Sequence, residues 1–254
     1  MSLIIICGAT ATGKSELALS VAKQLDAQII NADSMQVYRG MDIGTAKLAL
    51  EDRQGVAHHL LDLLEINQEA NVSWYQGLAR GKIDEILQSG KSVVVVGGTG
   101  LYIKAILDDL NFPDTDPVVR QQITDEAQIV GNDQMHERLA KLDPAAALAI
   151  PKENIRRVIR ALEVIQITGK PFTANLPRQA SSKYPAAKQF GLVLDRENLD
   201  SKIDKRVEDM WAKGFVREVM QLMTKGLEQA TTAKMALGYS QIMNYLNGEC
   251  DEAF

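Results

Sequence analysis

The stretch Leu3-Ile4-Ile5-Ile6-Cys7-Gly8-Ala9-Thr10-Ala11-Thr12-Gly13-Lys14-Ser15 decides the fold. Its first five residues are an unbroken apolar run, the kind a parallel sheet buries on both faces. Gly8 to Ser15 then satisfies G-x-x-x-x-G-K-[ST] at every fixed position. Beyond it Leu17, Val21 and Leu25 recur at helical spacing, with Ala18 and Ala22 beside them. Strand, tight loop and helix follow one another as a phosphate-binding loop requires. Glycines let the loop turn so that its backbone N–H groups converge on phosphate oxygens, and the helix adds its positive end. The expectation is a diphosphate or triphosphate held by Gly8, Ala9, Thr10, Ala11, Thr12, Gly13, Lys14 and Ser15. Lys14 would reach the outer phosphates, and the Ser15 hydroxyl suits a bound Mg²⁺.

Working outward, Gln28 to Asn31 reads as a second short strand ending at Ala32-Asp33-Ser34. A helix near Trp74 to Gln88 leads to a third buried strand, Val93 to Val96, closed by Gly97-Gly98. Strands alternating with helices predict an α/β fold with a parallel sheet. From about Pro117 to Pro185 the alternation stops and helical patterns take over, clearest over Gln134–Leu142 and Ile155–Ile167. A strand-like Phe190 to Leu194 resumes the sheet, and amphipathic helices run from Leu199 onward. The architecture expected is a P-loop NTPase-like α/β core, 1–116 with 186–254, carrying a helical insertion domain, 117–185.

Composition narrows the classes of function. The chain has 254 residues, 46% hydrophobic and 24% charged, enough for one large or two small packed cores. No apolar run approaches the roughly 18 residues of a membrane helix. Met1 runs straight into a strand without the basic flank of a signal peptide. Cys7 and Cys250 alone make neither a disulfide framework nor a zinc cage. A cytoplasmic protein without a membrane partner is therefore expected. The net charge of −5 conceals an uneven distribution. Between Pro151 and Phe190 eight Lys/Arg face two Asp/Glu, leaving −11 for the other residues. Such a basic island suggests a polyanion partner, although a solvated helix face would look the same.

The chemistry done on the phosphates turns on Asp33 and Thr99. A motor or signalling NTPase places a Mg²⁺-holding carboxylate at the end of a later apolar strand, yet Val93–Val96 ends in Gly-Gly-Thr. Asp33, after the second strand, is the nearest acidic residue. Carboxyl ends of parallel strands converge on the ligand, so Asp33 and Thr99 should face the phosphate loop. One carboxylate opposite a phosphate cradle suits a transferase, with the carboxylate taking a proton from an acceptor. A turn or helix cap is the structural alternative for Asp33.

Gly8–Ser15, Asp33-Ser34-Met35-Gln36-Val37-Tyr38-Arg39-Gly40-Met41-Asp42-Ile43-Gly44-Thr45-Ala46-Lys47 and Gly97-Gly98-Thr99-Gly100-Leu101-Tyr102 together resemble the successive signatures of tRNA dimethylallyltransferases. Asn154 to Val164 and Gly238-Tyr239 continue the resemblance, in order, over nearly the whole chain. It implies transfer of a dimethylallyl group from dimethylallyl diphosphate to N6 of an anticodon-loop adenosine (position 37) of tRNA, with Mg²⁺; a monomer is expected. It implies Asp33 as the base on the amine, Thr99 as a contact fixing that amine, and Arg206 facing the leaving diphosphate. Asp33, Ser34, Met35, Gln36, Thr99 and Arg120 would meet the tRNA anticodon stem-loop, with Arg156, Arg157, Val158, Ile159 and Arg160 on the insertion.

Departures from the family pattern are few. Ala9 and Leu48 stand where prolines are common, and Ser240 where a basic residue is frequent. Family members usually continue into arginine-rich helices beyond the position of Phe254, so tRNA affinity is expected to be weak beside a normal diphosphate site. His58 and His59 read as packing residues, Trp74 and Trp211 as anchors, and Lys47 and Lys104 carry no role derivable from sequence. Three rivals remain at this point: a small-molecule kinase with Asp33 deprotonating a hydroxyl, an adenylate isopentenyltransferase acting on free nucleotides, and a non-catalytic RNA-binding module.

Overall fold

A computed structural model of the chain describes residues 1–108, 110, 112–113, 115–175 and 182–250. In chain order the elements are β1 (Leu3–Gly8), α1 (Lys14–Gln24), β2 (Ala27–Asn31), β3 (His58–His59), α2 (Val72–Gln88), β4 (Ser92–Gly97) and α3 (Gly100–Leu107). There follow α4 (Pro117–Leu142), α5 (Pro144–Ala149), α6 (Ile155–Thr168), β5 (Lys188–Leu192), α7 (Arg196–Ala212), α8 (Phe215–Met223) and α9 (Tyr239–Leu246). Two compact units separate, Met1–Leu107 with Lys183–Phe254, and Asp108–Ser182.

The first unit is built on a five-stranded sheet in the order β3-β2-β4-β1-β5, every pair parallel. The expected α/β class with a parallel sheet is what forms. Side chains alternate across it. Ile4, Ile6, Ile29 and Val94 pack with Ala18, Leu19 and Ala22 on one face. Leu3, Ile5, Ile30, Val93 and Val95 pack with Tyr75, Ala79, Ile83 and Ile106 on the other. Each buried aliphatic side chain contributes about 1.5–3 kcal/mol, so the apolar runs legible in sequence are the ones that hold the sheet.

Periodicity misplaced three details. The buried face of α1 is Ala18, Leu19 and Ala22, whereas Leu17 and Leu25 are exposed; small residues let the helix lie close over the strands. Strand β5 ends at Leu192 rather than Leu194, because Asp195 leaves the sheet to cap α7, its side chain accepting the Asn198 N–H at 3.0 Å. Among the described residues it is an edge strand paired only with β1, with Phe190 half exposed. The two-residue β3 has no apolar run to announce it.

In the second unit, Gln134–Leu142 proves to be the latter half of α4, which bends where Gly131 adopts φ 83°. Ile123, Ala127, Met135 and Leu139 of α4 pack against Val158, Ala161 and Leu162 of α6. Asp116 and Asn154 cap these helices through their side chains. Among the described residues no helix is long and apolar enough to cross a membrane.

Candidate active site

Strand order assembles the site in the first unit. Because β2, β4 and β1 are neighbours, Asp33, Thr99 and the Gly8–Ser15 loop emerge side by side at their carboxyl ends. Contact is close here: a Cβ on Gly97 would lie 2.1 Å from the Ala32 carbonyl oxygen. Only glycine allows β4 to pass that near β2 on its way to Thr99.

Two groups of hydrogen bonds define Asp33. Its Oδ1 accepts the Met35 N–H at 2.8 Å and the Gln36 N–H at 3.4 Å. Among the described residues no protein donor reaches Oδ2. The carboxylate is thus both a turn cap and a free acceptor, so the two readings of Asp33 are compatible. Ser34 donates its N–H to Thr99 Oγ1 at 3.0 Å, and the Thr99 hydroxyl reaches Ser34 Oγ at 3.3 Å. Thr99 donates its own N–H to the Ala32 carbonyl at 3.2 Å.

Cations on two helices interact electrostatically with this carboxylate. Lys14, at the start of α1, donates to the Ala9 carbonyl within the loop, where the Thr12 hydroxyl also donates, at 2.8 Å. Burial pulls the Lys14 ammonium below its ordinary pKa; Asp33 opposes that shift and Arg206 adds to it. Arg206, on α7, is lowered by its own burial and supported by Asp33. Two partly desolvated cations coupled to a carboxylate can hold an anion while the carboxylate accepts a proton. Ser15 lies exposed in the first turn of α1, next to the loop.

The segment after Asp33 is held in place from far along the chain. Glu218 of α8, 8% exposed, accepts the N–H groups of Asp42 at 3.1 Å, Ile43 at 2.8 Å and Gly44 at 3.3 Å. Tyr239, the first residue of α9, donates its hydroxyl to the same carboxylate at 2.6 Å; burial and Glu218 both raise its pKa, keeping it a donor. A Cβ on Gly44 would lie 2.2 Å from the Phe215 ring. Lys47 Nζ donates to the Tyr38 carbonyl and to the carboxylates of Asp42 and Asp62, at 2.8, 2.7 and 2.6 Å. Gln36 is fixed in turn by donating its amide to the Thr45 carbonyl at 3.0 Å.

In the second unit the candidate tRNA residues divide. Val158 is fully buried in the helical core and Ile159 packs against it. As a ligand contact the Val158 side chain is corrected: it faces α4, on the inward side of the helical repeat. Arg120 and Arg160 both pair with Glu163, at 2.9 Å each, and Glu163 is wholly buried. Arg156 and Arg157 are exposed in the first turn of α6. His58 bonds to the Val56 carbonyl and His59 to Gln28, as packing residues do.

The chain matches the family model described as IPP transferase over residues 36–254. The tRNA dimethylallyltransferase of Thermobifida fusca is 52% identical across 99% of this chain and 80% of its own length. The chain belongs to the IPP transferase family. The full-length tRNA isopentenylpyrophosphate transferase of Bacillus halodurans is 37% identical with a TM-score of 0.68, covering 99% of this chain and 79% of the other. A eukaryotic dimethylallyltransferase crystallised acting on tRNA is 27% identical with a TM-score of 0.83, covering 98% and 63%.

Within this IPP transferase, sequence reasoning left Lys47 without a role and passed over Glu218, Asn31 and Glu163. No local pattern marks them, since each has at least one partner well removed in the chain: Asp62 for Lys47, the Asp42–Gly44 amides for Glu218, Leu60 for Asn31 and Arg120 for Glu163. The matches of Asp42-Ile43-Gly44 and of Gly238-Tyr239 to the family pattern were the signals pointing toward the Glu218 cluster. Glu218→Ala should destabilise the transferase by about 3–5 kcal/mol, because it orphans three backbone donors and a buried hydroxyl. Urea unfolding followed by tyrosine fluorescence measures this. A loss below about 1 kcal/mol would mean that water replaces the carboxylate without cost.

Proposed function

We propose that this IPP transferase moves the dimethylallyl group of dimethylallyl diphosphate to N6 of an anticodon-loop adenosine (position 37) of tRNA. The observation that carries the reading is the convergence of Asp33, Thr99 and the Gly8–Ser15 loop at the ends of three neighbouring strands, with Lys14 and Arg206 coupled electrostatically to the carboxylate. A bond forms between N6 and the allylic C1 as the C1–O bond breaks, and diphosphate leaves with that electron pair. The exocyclic amine is a weak nucleophile, so Asp33 accepts its proton through the open Oδ2 as the bond forms. Thr99, tied to Ser34, helps fix the amine. Lys14, Arg206 and the loop N–H groups stabilise charge growing on the diphosphate. The adenine must leave its stack to enter such a site.

Mg²⁺ fits the donor set beside the loop. Ser15 offers one hydroxyl there, and Mg²⁺ commonly takes one or two protein oxygens and fills its shell with phosphate oxygens and water. Ser15 would hold it, and its charge would offset that of the diphosphate.

Labelled dimethylallyl diphosphate incubated with tRNA, AMP or ATP in parallel tests the proposal. Label should enter tRNA. Label in AMP or ATP would make the chain an adenylate isopentenyltransferase. ATP consumption without prenyl transfer would make it a kinase.

The exposed pair on α6 supports tRNA as the large substrate. Replacing Arg156 and Arg157 together by alanine should weaken tRNA binding and flatten its salt dependence by about one to two in the log–log slope. Diphosphate affinity should hold. Arg160 is a poor choice for this test, because its removal withdraws a partner from a buried carboxylate. Filter binding across salt concentrations reads the slope, and an unchanged slope would assign the pair to a solvated helix face.

A further inference from the structure

Asn31 is the last residue of β2, 4% exposed, two positions before Asp33. Its side chain uses both N–H donors and its carbonyl oxygen to fix main chain. Oδ1 accepts the Asp33 N–H at 3.0 Å, and Nδ2 donates to the Asp33 and Leu60 carbonyls, each at 3.0 Å. One amide therefore grips both backbone polar groups of the residue that carries the carboxylate.

The grip is itself anchored. The Asn31 carbonyl accepts the Tyr75 hydroxyl at 2.7 Å, and the Tyr75 ring stacks on Tyr102 at 3.7 Å between centroids. Tyr102 donates its N–H to the Thr99 carbonyl at 2.9 Å, and Thr99 accepts from Ser34. Contacts thus run in a closed ring from Asp33 through Asn31, Tyr75, Tyr102, Thr99 and Ser34 back to Asp33. Burial, Tyr102 and Asp33 all raise the Tyr75 pKa, so its hydroxyl stays protonated as a donor.

We infer that Asn31 is a positioning residue for prenyl transfer, aiming the Asp33 carboxylate by fixing the backbone on both sides of it; the inference rests on Asp33 being the proton acceptor. The chemistry demands an amide. Aspartate has no donors for the two carbonyls, leucine has neither function, and serine is too short to serve all three partners. With Asn31 gone, the Asp33 side chain still caps the turn, and Ala32 and Ser34 keep their bonds to Val96 and Thr99. The N–H and C=O of Asp33, however, lose their Asn31 partners, and the carboxylate can shift between its two held neighbours. A displacement of about 1 Å in a reacting group can cost on the order of 10²-fold in rate.

Single-turnover transfer to tRNA is measured for Asn31→Ala and Asn31→Ser, each in the parent and in the Asp33→Ala background, alongside inorganic diphosphate binding and thermal midpoints. Asn31→Ala in the parent should lose about 10–10²-fold in rate. Its diphosphate affinity should stay within twofold. Asn31→Ser keeps an acceptor for the Asp33 N–H, as hydroxyls do in turns, and should recover part of the rate. In the Asp33→Ala background neither substitution should slow the residual reaction further, because no carboxylate remains to be aimed. A purely structural lesion would slow both backgrounds equally. That outcome, or a rate within threefold of the parent, overturns the inference. If Asn31→Ala fails to fold, Asn31→Ser carries the same comparison. Should Asp33→Ala itself keep the parental rate, the proton-acceptor reading falls and takes this inference with it; collapse of Asp33→Ala beside a fast Asn31→Ala refutes the inference alone.

Discussion

Asp33→Ala should slow transfer by about 10²–10⁴-fold, toward the upper end, while inorganic diphosphate binds nearly as it does to the parent. The rate loss combines two effects. The amine loses its proton acceptor, and the turn over Met35 and Gln36 loses its cap. Asp33→Asn separates them, since asparagine caps turns well but is a negligible base. It should keep the fold of residues 33–36 and still lose most of the rate. Diphosphate binding is spared because the phosphate loop leaves β1 whereas Asp33 leaves β2, two strands away. Removing the carboxylate also withdraws a negative charge coupled to Lys14 and Arg206, so diphosphate affinity should rise slightly if it moves at all. Single-turnover rates and calorimetric titration with inorganic diphosphate decide the matter. A mutant within threefold of the parent removes Asp33 from the mechanism.

Lys14→Ala should weaken diphosphate binding and slow turnover together, lowering kcat/KM by about 10²–10³-fold. In the proposed reaction its ammonium would contact phosphate both before and during C–O cleavage, so both ground state and transition state would lose stabilisation, the latter more. Lys14 is partly desolvated, which strengthens its interaction with an anion relative to that of a surface lysine. Arg206 remains to hold part of the charge, so binding should fall without vanishing. Steady-state kinetics with dimethylallyl diphosphate varied at saturating tRNA measures both parameters. A variant whose KM for dimethylallyl diphosphate stays within twofold would place the diphosphate away from this lysine.

The core was legible in sequence where the signal is contiguous. Leu3–Cys7 and Val93–Val96 are apolar runs of strand length, and each is a buried central strand. The strand–loop–helix at Gly8–Ser15 was legible because eight consecutive residues specify its backbone geometry. Asp33 and Thr99 followed from one rule about the carboxyl ends of parallel strands. Arg206 came from resemblance alone: no periodicity on α7, a helix with no buried residue, marks it out.

What sequence could not assign are residues whose meaning depends on a distant partner. Glu218 looks like any surface glutamate on an amphipathic helix until the Asp42–Gly44 amides, about 175 positions away, close over it. Val158 lies among arginines in sequence and among aliphatic side chains in space, since only one side of α6 faces α4. Glu163 reads as a minor offset to a basic island, yet it is the buried carboxylate on which Arg120 and Arg160 converge.

Local order along the chain therefore determined the parallel sheet, the phosphate loop and the location of the acidic residue facing it, because hydrophobic runs and loop motifs act over a few residues. Tertiary structure alone decided which carboxylate stays open, which is consumed by backbone amides and which is buried between arginines. A carboxylate's chemistry is set by the donors and charges within a few ångströms. Those neighbours arrive from strands and helices that the chain brings together only on folding.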